Sequence, residues 1–215
     1  MGNIIKADCA IFAAGSAVSP TRVREFLRDD AFIVAADAGY KLCRACGLEP
    51  DLVIGDFDSG APVSENPNMQ VIRLNPVKDD TDTACAYAKA VSHGYKNIVL
   101  FGGTGGRLDH TFANFDLCAH AKTQGVCLTV VDDHHEIFAL QNETRTINGD
   151  SGKYVSVFAV GGPCTVSLRG FAYPLQNYTF EPFSGLGVSN ETTAEQAEIE
   201  VEKGTALIFI TDKDH

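Results

Sequence analysis

The first two-thirds of this 215-residue chain alternate between short apolar runs and helical amphipathic patterns, and no other feature constrains its fold as tightly. Strand-length runs separated by helix-length segments call for βαβ units and a mainly parallel sheet. The runs predicted as strands are 9–14, 32–36, 52–55, 71–74, 98–101 and 127–131. Thr81 or Asp80 can cap a helix in which Ala84, Tyr87, Ala88 and Val91 recur at helical spacing, with Gly94 as its stop. Leu108, Phe112, Phe115 and Ala119 repeat the pattern up to Gly125, and the expected place of its aromatics is the core. Beyond Phe138 the helical period disappears. Short β-type runs at 154–160, 165–168, 173–183, 197–201 and 206–210, punctuated by Gly, Pro and Asn, predict an antiparallel sandwich or barrel. The expectation is an α/β N-terminal domain with a mainly parallel sheet over 1–136, followed by an all-β, sandwich-like domain over 137–215.

The residues that carry chemistry fall where the predicted parallel strands end, which is where ligands sit in open α/β sheets. Asp37-Ala38-Gly39 follows the second run and Gly55-Asp56-Phe57-Asp58-Ser59 the third. Lys78-Asp79-Asp80-Thr81-Asp82 follows the fourth, and the glycine-rich stretch Gly102–Gly106 with Arg107, Asp109 and His110 follows the fifth. Asp56 and Asp58 are two residues apart, so on an extended backbone their side chains share a face with Cα atoms roughly 7 Å apart. Such a pair can hold a hard divalent cation, which takes oxygen ligands and completes its shell with water and phosphate. Carboxylates at four consecutive strand ends would repel one another unless protonated or bridged, and a metal ion resolves that conflict.

The glycine run contains neither a Walker loop nor a dinucleotide fingerprint. It leads from a strand into a helix, so its backbone N–H groups and the positive helix end face outward toward an anion. Arg107 adds a planar fork suited to two phosphate oxygens. Asp79 and Asp82 share a helical face, Asp80 is placed as a cap or first-turn acid, and Lys78 can balance the acids or touch a phosphate.

A formal net charge of −11 argues against nucleic acid or an anionic membrane as a partner, because both require clustered Lys and Arg. No apolar stretch reaches the length of a membrane span and the N-terminus lacks a signal pattern, so the expected location is the cytoplasm. Seven cysteines scattered through the chain suit a reducing compartment. Cys43 and Cys46 form the one close pair, without the second pair a structural zinc site requires, and are expected as buried helical thiols.

Taken together, Asp37-Ala38-Gly39, the Gly55–Ser59 block, Lys78-Asp79-x-Thr81-Asp82, Gly105-Gly106-Arg107-x-Asp109-His110 and a late Gly187-Val188-Ser189-Asn190-Glu191 resemble the thiamine pyrophosphokinase (thiamine diphosphokinase) family, in that family's order and over nearly the whole chain. The resemblance implies ATP-dependent transfer of pyrophosphate to the hydroxyl of thiamine, giving thiamine diphosphate and AMP. It implies a nucleotide-binding catalytic domain, a thiamine-binding β domain, and a homodimer with sites between subunits. On that reading Asp56, Asp58 and Asp79 hold Mg2+, with Asp82, Arg107 and Asp109 beside them in catalysis. Asp37, Gly39, Lys78, Thr81, Gly105, Gly106 and Arg107 meet the nucleotide, and Ser189-Asn190 meets thiamine. The hydroxyl and amide of that last pair, close to Gly185 and Gly187, offer donors and acceptors that match an aminopyrimidine edge. The chain departs from the family in carrying Ala84 where a further acid is common. It also has no Trp, so an aromatic ring against thiamine would come from Tyr173, Tyr178 or Phe183. Two other functions fit the residues less fully: a magnesium-dependent transferase acting on another alcohol, and a non-catalytic sensor, which has no need of so many strand-end carboxylates.

Overall fold

The structure, a computed structural model, describes residues 6–57, 67–75, 80–148, 153–182 and 184–213. Asp58, Ser59, Lys78, Asp79 and Phe183 lie outside the described residues. The chain divides into two compact units, one made of Ile4–Leu117 and Val126–Asp133, the other of Cys118–Gly125 and His134–His215 together with the first residues. The break falls between Asp133 and His134, ahead of residue 137.

The first unit is an open parallel sheet. Its strands are β1 (Ala7–Phe12), β2 (Leu27–Ala36), β3 (Leu52–Gly55), β4 (Gln70–Arg73), β5 (Asn97–Phe101) and β6 (Cys127–Val131), in the spatial order β6-β5-β1-β2-β3-β4. All neighbours run parallel, so every strand delivers its carboxyl end to the same edge. Interior strands β3 and β5 are buried almost throughout, as expected where both faces of a parallel sheet are covered, while the edge strand β4 is largely exposed. Chain order reverses between β1 and β5, which pair directly while their following segments lead away in opposite directions. That reversal opens a crevice above the two strand ends.

Among the described residues four helices join the strands: α1 (Pro20–Phe26), α2 (Gly39–Ala45), α3 (Asp82–Ser92) and α4 (Leu108–Thr123). The short α1 and α2 carry too little periodicity to be predicted. Ser19 starts α1, its Oγ accepting from the Arg22 N–H at 3.3 Å with Pro20 in the first turn. Thr81, not Asp80, caps α3, its Oγ1 accepting from the Ala84 N–H at 3.1 Å, and the helix ends before Gly94 at φ 93°. Two expectations for the helix faces are corrected. In α3 the buried side chains are Thr83, Ala86, Tyr87 and Ala90, whereas Ala88 is exposed. Alanines fit the spacing on either face, so the pattern left the register ambiguous. In α4, Asn114, Cys118, Ala119 and Ala121 are buried, whereas Leu108 and Phe112 are 78% and 74% exposed. One helical turn apart, those two form an apolar stripe outside the core rather than part of it. Cys43 and Cys46 are buried free thiols, bonded to the carbonyls of Leu48 and Val18 at 3.5 and 3.6 Å. Burial pushes the Cys43 thiol up to about 12, away from the thiolate form that redox chemistry uses.

The second unit is antiparallel and all-β. It contains β7 (His135–Asn148), β8 (Lys153–Arg169), β9 (Leu175–Phe180), β10 (Asn190–Glu191) and β11 (Gln196–Asp212). The order is β10-β8-β11-β7, with β9 also on β8. Strand β7 was not predicted, and two pairs of predicted strands are single strands: 154–160 and 165–168 merge into β8, and 197–201 and 206–210 into β11. The punctuating glycines are bulges, not turns. Gly161 and Gly162 in β8 and Gly204 in β11 have positive φ, and the β8–β11 register shifts between Val201, Lys203 and Thr205. A Cβ on Gly204 would lie 2.5 Å from the Pro163 carbonyl oxygen, so the bulged strands approach too closely for any other residue.

The core of this unit includes Phe138, Val157, Val166, Leu168, Phe180, Ile199 and Ile208, all essentially inaccessible. Ile199 pairs with Leu168 on β8 and Arg145 on β7. Ile199→Ala removes fully buried carbons between two strands and is expected to cost about 3 kcal/mol, read as a lower urea midpoint at constant slope.

Candidate functional site

Where β1 and β5 part, the backbone is joined by three hydrogen bonds beyond the strands. The N–H groups of Ala13, Gly15 and Ser16 donate to the carbonyls of Phe101, Gly102 and Thr104 at 2.8, 2.8 and 2.7 Å. The two strand-end loops are thus held as one surface. Gly15 permits this approach, since a Cβ there would sit 2.2 Å from the Thr104 oxygen and 2.4 Å from the Gly102 oxygen. Side chains secure the β5 loop from behind. Buried Asn114 donates from Nδ2 to the Gly103 carbonyl at 2.8 Å, and Thr104 Oγ1 donates to Asp132 Oδ2 at 2.6 Å.

Above these loops lies a cleft of about 440 Å³, walled by 13–16, Asp37, 81–83, the turn 102–107 and His110, Thr111 and Asn114 of α4. Of the predicted nucleotide residues, it brings together Asp37, Thr81, Gly105, Gly106 and Arg107, with Asp82 from the catalytic set. Asp37 adopts a left-handed φ of 44°, and its N–H donates to the Ile54 carbonyl at 2.8 Å. A Cβ on Gly55 would lie 3.2 Å from Asp37 Oδ1, so the Asp37 carboxylate reaches across the end of β3 toward the start of the Asp56 turn. Asp56 itself is not part of the cleft wall. Its carbonyl accepts from Arg73 Nη1 at 3.1 Å, and the guanidinium stands 5.3 Å over the Phe57 ring, which fixes the turn after β3.

Gly39 also lies off the wall. A Cβ there would fall 2.0 Å from the Phe12 carbonyl oxygen, so glycine at this position lets α2 pack onto the end of β1. Asp109 turns to Arg107: Nε donates to Oδ1 at 3.2 Å and Nη2 to Oδ2 at 2.5 Å, with both side chains more than half exposed. The hydrogen bond from Arg107 holds the Asp109 carboxyl below its usual range, aided by the His110 N–H, and the same bond raises Arg107. In the β unit, Ser189 is exposed in a left-handed conformation at φ 59°, its N–H donating to Ser156 Oγ at 3.0 Å. Asn190 is buried, and its amide is engaged by backbone. Oδ1 accepts from the N–H groups of Tyr173 at 3.0 Å and Glu191 at 2.9 Å, and Nδ2 donates to the Tyr173 carbonyl at 2.8 Å.

Among the described residues no three His, Cys, Asp or Glu side chains converge tightly enough to hold a metal ion unaided. Asp37 and Asp82, which line the cleft, nevertheless carry the hard oxygen donors that magnesium prefers. An ion that accepts only one or two protein carboxylates, and takes its other ligands from water and phosphate, fits this donor set. The sequence reading missed the wall at 13–16 and the supports Asn114, Thr104 and Asp132. Ala13-Ala14-Gly15-Ser16, a run of small residues directly after an apolar strand, was the available signal.

A parallel sheet with a glycine-lined cleft at its switch point, and an arginine beside it at a helix start, places this chain among open α/β-sheet proteins, whose ligands sit at such a crevice. The comparisons with known proteins make the class specific. The family model for the thiamin pyrophosphokinase catalytic domain matches residues 23–130, and that for the thiamin pyrophosphokinase vitamin B1 binding domain matches 134–206. The chain is 28% identical over 190 residues to thiamine pyrophosphokinase of Bacillus subtilis (strain 168), covering 84% of this chain and 87% of that protein. It is 27% identical over 176 residues to thiamin pyrophosphokinase 1 of Caenorhabditis elegans, covering 74% and 69% of the two chains. The crystal structure of thiamin pyrophosphokinase from Geobacillus thermodenitrificans superposes with a TM-score of 0.81 at 28% identity, covering 95% of this chain and 97% of that one. The Bacillus subtilis enzyme's crystal structure gives 0.84 at 24% identity, covering 95% and 99%. The chain belongs to the thiamin pyrophosphokinase family.

The welded loops make a direct prediction. Gly15→Ala drives a Cβ into two backbone carbonyls that cannot swing aside, and is expected to lower stability by about 2 kcal/mol and to weaken ligand binding in the cleft. Thermal unfolding checks it; an unchanged midpoint would show that the loops are not locked at this point.

Proposed function

We propose that the cleft over β1 and β5 binds the polyphosphate of ATP and that Ser189-Asn190 marks the thiamine site. As a member of its family, the chain transfers pyrophosphate from ATP to thiamine, giving thiamine diphosphate; AMP is the remaining product. The observation that carries the cleft assignment is Arg107, an exposed fork on a glycine turn at the start of α4, beside a wall that includes Asp37 and Asp82. Residues 1–136 act as the nucleotide-binding catalytic domain and 137–215 as the thiamine-binding domain.

The chemistry is a matter of charge and placement. Attack by the thiamine hydroxyl at the β-phosphorus must approach a polyanion, so catalysis depends on positioning and on cations placed in advance. Arg107 and Lys78 hold phosphate oxygens, Gly105 and Gly106 let the backbone come close to them, and Thr81 and Gly39 shape the nucleotide side of the site. Asp56, Asp58 and Asp79 would hold Mg2+, with Asp37, Asp82 and Asp109 in the same acidic group. The ion, when bound, supplies neutralisation of charge developing on the phosphates. Asp109 releases Arg107 as a phosphate arrives and keeps the guanidinium oriented until then. In the β unit, the exposed Ser189 hydroxyl is available to the aminopyrimidine, while Asn190 shapes the site by holding Tyr173. The reading includes a homodimer, in which a second copy would give the exposed Leu108 and Phe112 a cover, and a cytoplasmic location. No helix among the described residues is long and apolar enough to cross a membrane.

Incubation with ATP, magnesium and a panel of alcohols including thiamine, followed by mass analysis, tests the reaction: thiamine diphosphate and AMP should appear in equal amounts. In the same assay Asp56→Asn should reduce turnover on the order of a hundredfold or more. Arg107→Lys, which keeps charge but loses the fork, should reduce it about tenfold. Near-normal turnover in either variant would remove that residue from the machinery.

Asn190→Ala separates the two sites. It strips two backbone N–H groups of their acceptor at a buried position, so stability should fall by about 1–3 kcal/mol. Thiamine KM should rise while ATP KM holds. A rise confined to ATP KM would place the thiamine site elsewhere.

A further inference from the structure

The cleft contains a hydroxyl that neither the predicted site nor the reaction scheme uses. Ser16 lies on the 13–16 wall, and a Cβ on Gly105 would fall 1.9 Å from its Oγ. The Ser16 hydroxyl therefore occupies the space that glycine leaves open at position 105, directly on the turn that leads to Arg107. Its backbone is immobilised by the 2.7 Å bond from its N–H to the Thr104 carbonyl. The surrounding hydroxyls are committed to the protein: Thr81 caps α3, Thr104 binds Asp132, and Thr111 Oγ1 donates to the carbonyls of Gly105 and Arg107 at 3.4 Å. Ser16 Oγ has no hydrogen-bond partner among the described residues. Thr83 is the other such hydroxyl on the wall, but it belongs to α3 beside the carboxylate of Asp82, whereas Ser16 adjoins the cationic turn.

A half-buried hydroxyl held rigid without a protein partner suits a ligand acceptor, since it loses little further freedom on binding. The acceptor it meets here is anionic, because the same turn presents Arg107 and the first N–H groups of a 16-residue helix. We propose that Ser16 Oγ donates a hydrogen bond to a β- or γ-phosphate oxygen of the bound nucleoside triphosphate, making it a substrate-positioning residue. The inference rests on the reading of this cleft as the polyphosphate site. It adds a contact from the β1 loop to those from the β5 loop, so the phosphate chain spans the switch point and is held from both strands.

The test compares Ser16→Ala, Ser16→Thr and Arg107→Ala in the full-length protein, using calorimetric titration with ATP, with a non-transferable ATP analogue and with AMP. Ser16→Ala should weaken both triphosphates by roughly tenfold, leave AMP within about twofold, and leave the thermal midpoint unchanged because no protein hydrogen bond is lost. Ser16→Thr, which keeps the hydroxyl, should recover most of the affinity, and thiamine KM should not move in either variant. Equal weakening of AMP and ATP, no weakening of ATP, a Thr variant as poor as Ala, or a large fall in thermal midpoint would each overturn the assignment. Arg107→Ala separates this failure from that of the cleft reading. If Arg107→Ala loses ATP while Ser16→Ala does not, the cleft stands and Ser16 alone is wrong; if both bind ATP normally, the cleft itself is misassigned.

Discussion

Three backbone hydrogen bonds at the parting of β1 and β5 govern the α/β unit, because they convert two loops that would otherwise diverge into one surface. Parallel neighbours require that each connection leave over the top of the sheet, and at a switch point the two connections leave to opposite faces. Without the donors of Ala13, Gly15 and Ser16 the carbonyls of Phe101, Gly102 and Thr104 would need water, and the crevice would have no fixed floor. The glycines here follow from that requirement. Gly15 is small because two carbonyls occupy the place of its Cβ, and Gly105 is small because the Ser16 hydroxyl does. Most glycines of the turn are required by close backbone or side-chain neighbours and Gly106 by its positive φ, which is why the run matches no phosphate-loop pattern.

Strand ends in the parallel unit were legible because burial on both faces leaves an unmistakable apolar run. The runs at 52–55 and 127–131 coincide with β3 and β6 to the residue. The site was legible where a charged or glycine residue followed such a run, hence Asp37, Gly105, Gly106 and Arg107. It was not legible at Asn114, Thr104 and Asp132, whose roles are to hold one another and the backbone; nothing in their spacing distinguishes a polar residue tied to a carbonyl from one in solvent. Gly39 shows the converse, since its place in a site motif conceals a contact with the Phe12 carbonyl that any helix packed so closely would require. In α4, spacing alone could not fix the buried face: Ala119 is buried as the pattern has it, but Cys118 and Ala121 are buried beside it while Phe112 is exposed.

In the β unit the same ambiguity attaches to glycine and proline. A Gly-Gly-Pro sequence reads as the end of a strand, but in β8 it is the crest of a bulge opposite Gly204, and the strand continues in a new register. Each bulge bends and twists the strand without ending it, so long strands wrap one core that short hairpins would divide. Asn190 extends that logic to the segment around Tyr173. By bonding the N–H and carbonyl of Tyr173 it acts as a strand residue would, leaving Tyr173 itself 71% exposed.

The Arg107–Asp109 pair poses a related question of why a residue suited to phosphate is already engaged. An exposed arginine with no partner would sample many rotamers, and ordering it on binding would subtract from affinity. Asp109 restricts it beforehand through a planar, two-point contact, and does so weakly, because both side chains are largely in water where an ion pair gains little. On the proposed reading, a phosphate would carry more charge than a carboxylate and would also meet the N–H groups of the first turn of α4, so the exchange would favour the ligand. On that reading the weak intramolecular pair would be the resting state of a stronger intermolecular one, with the fork oriented in advance.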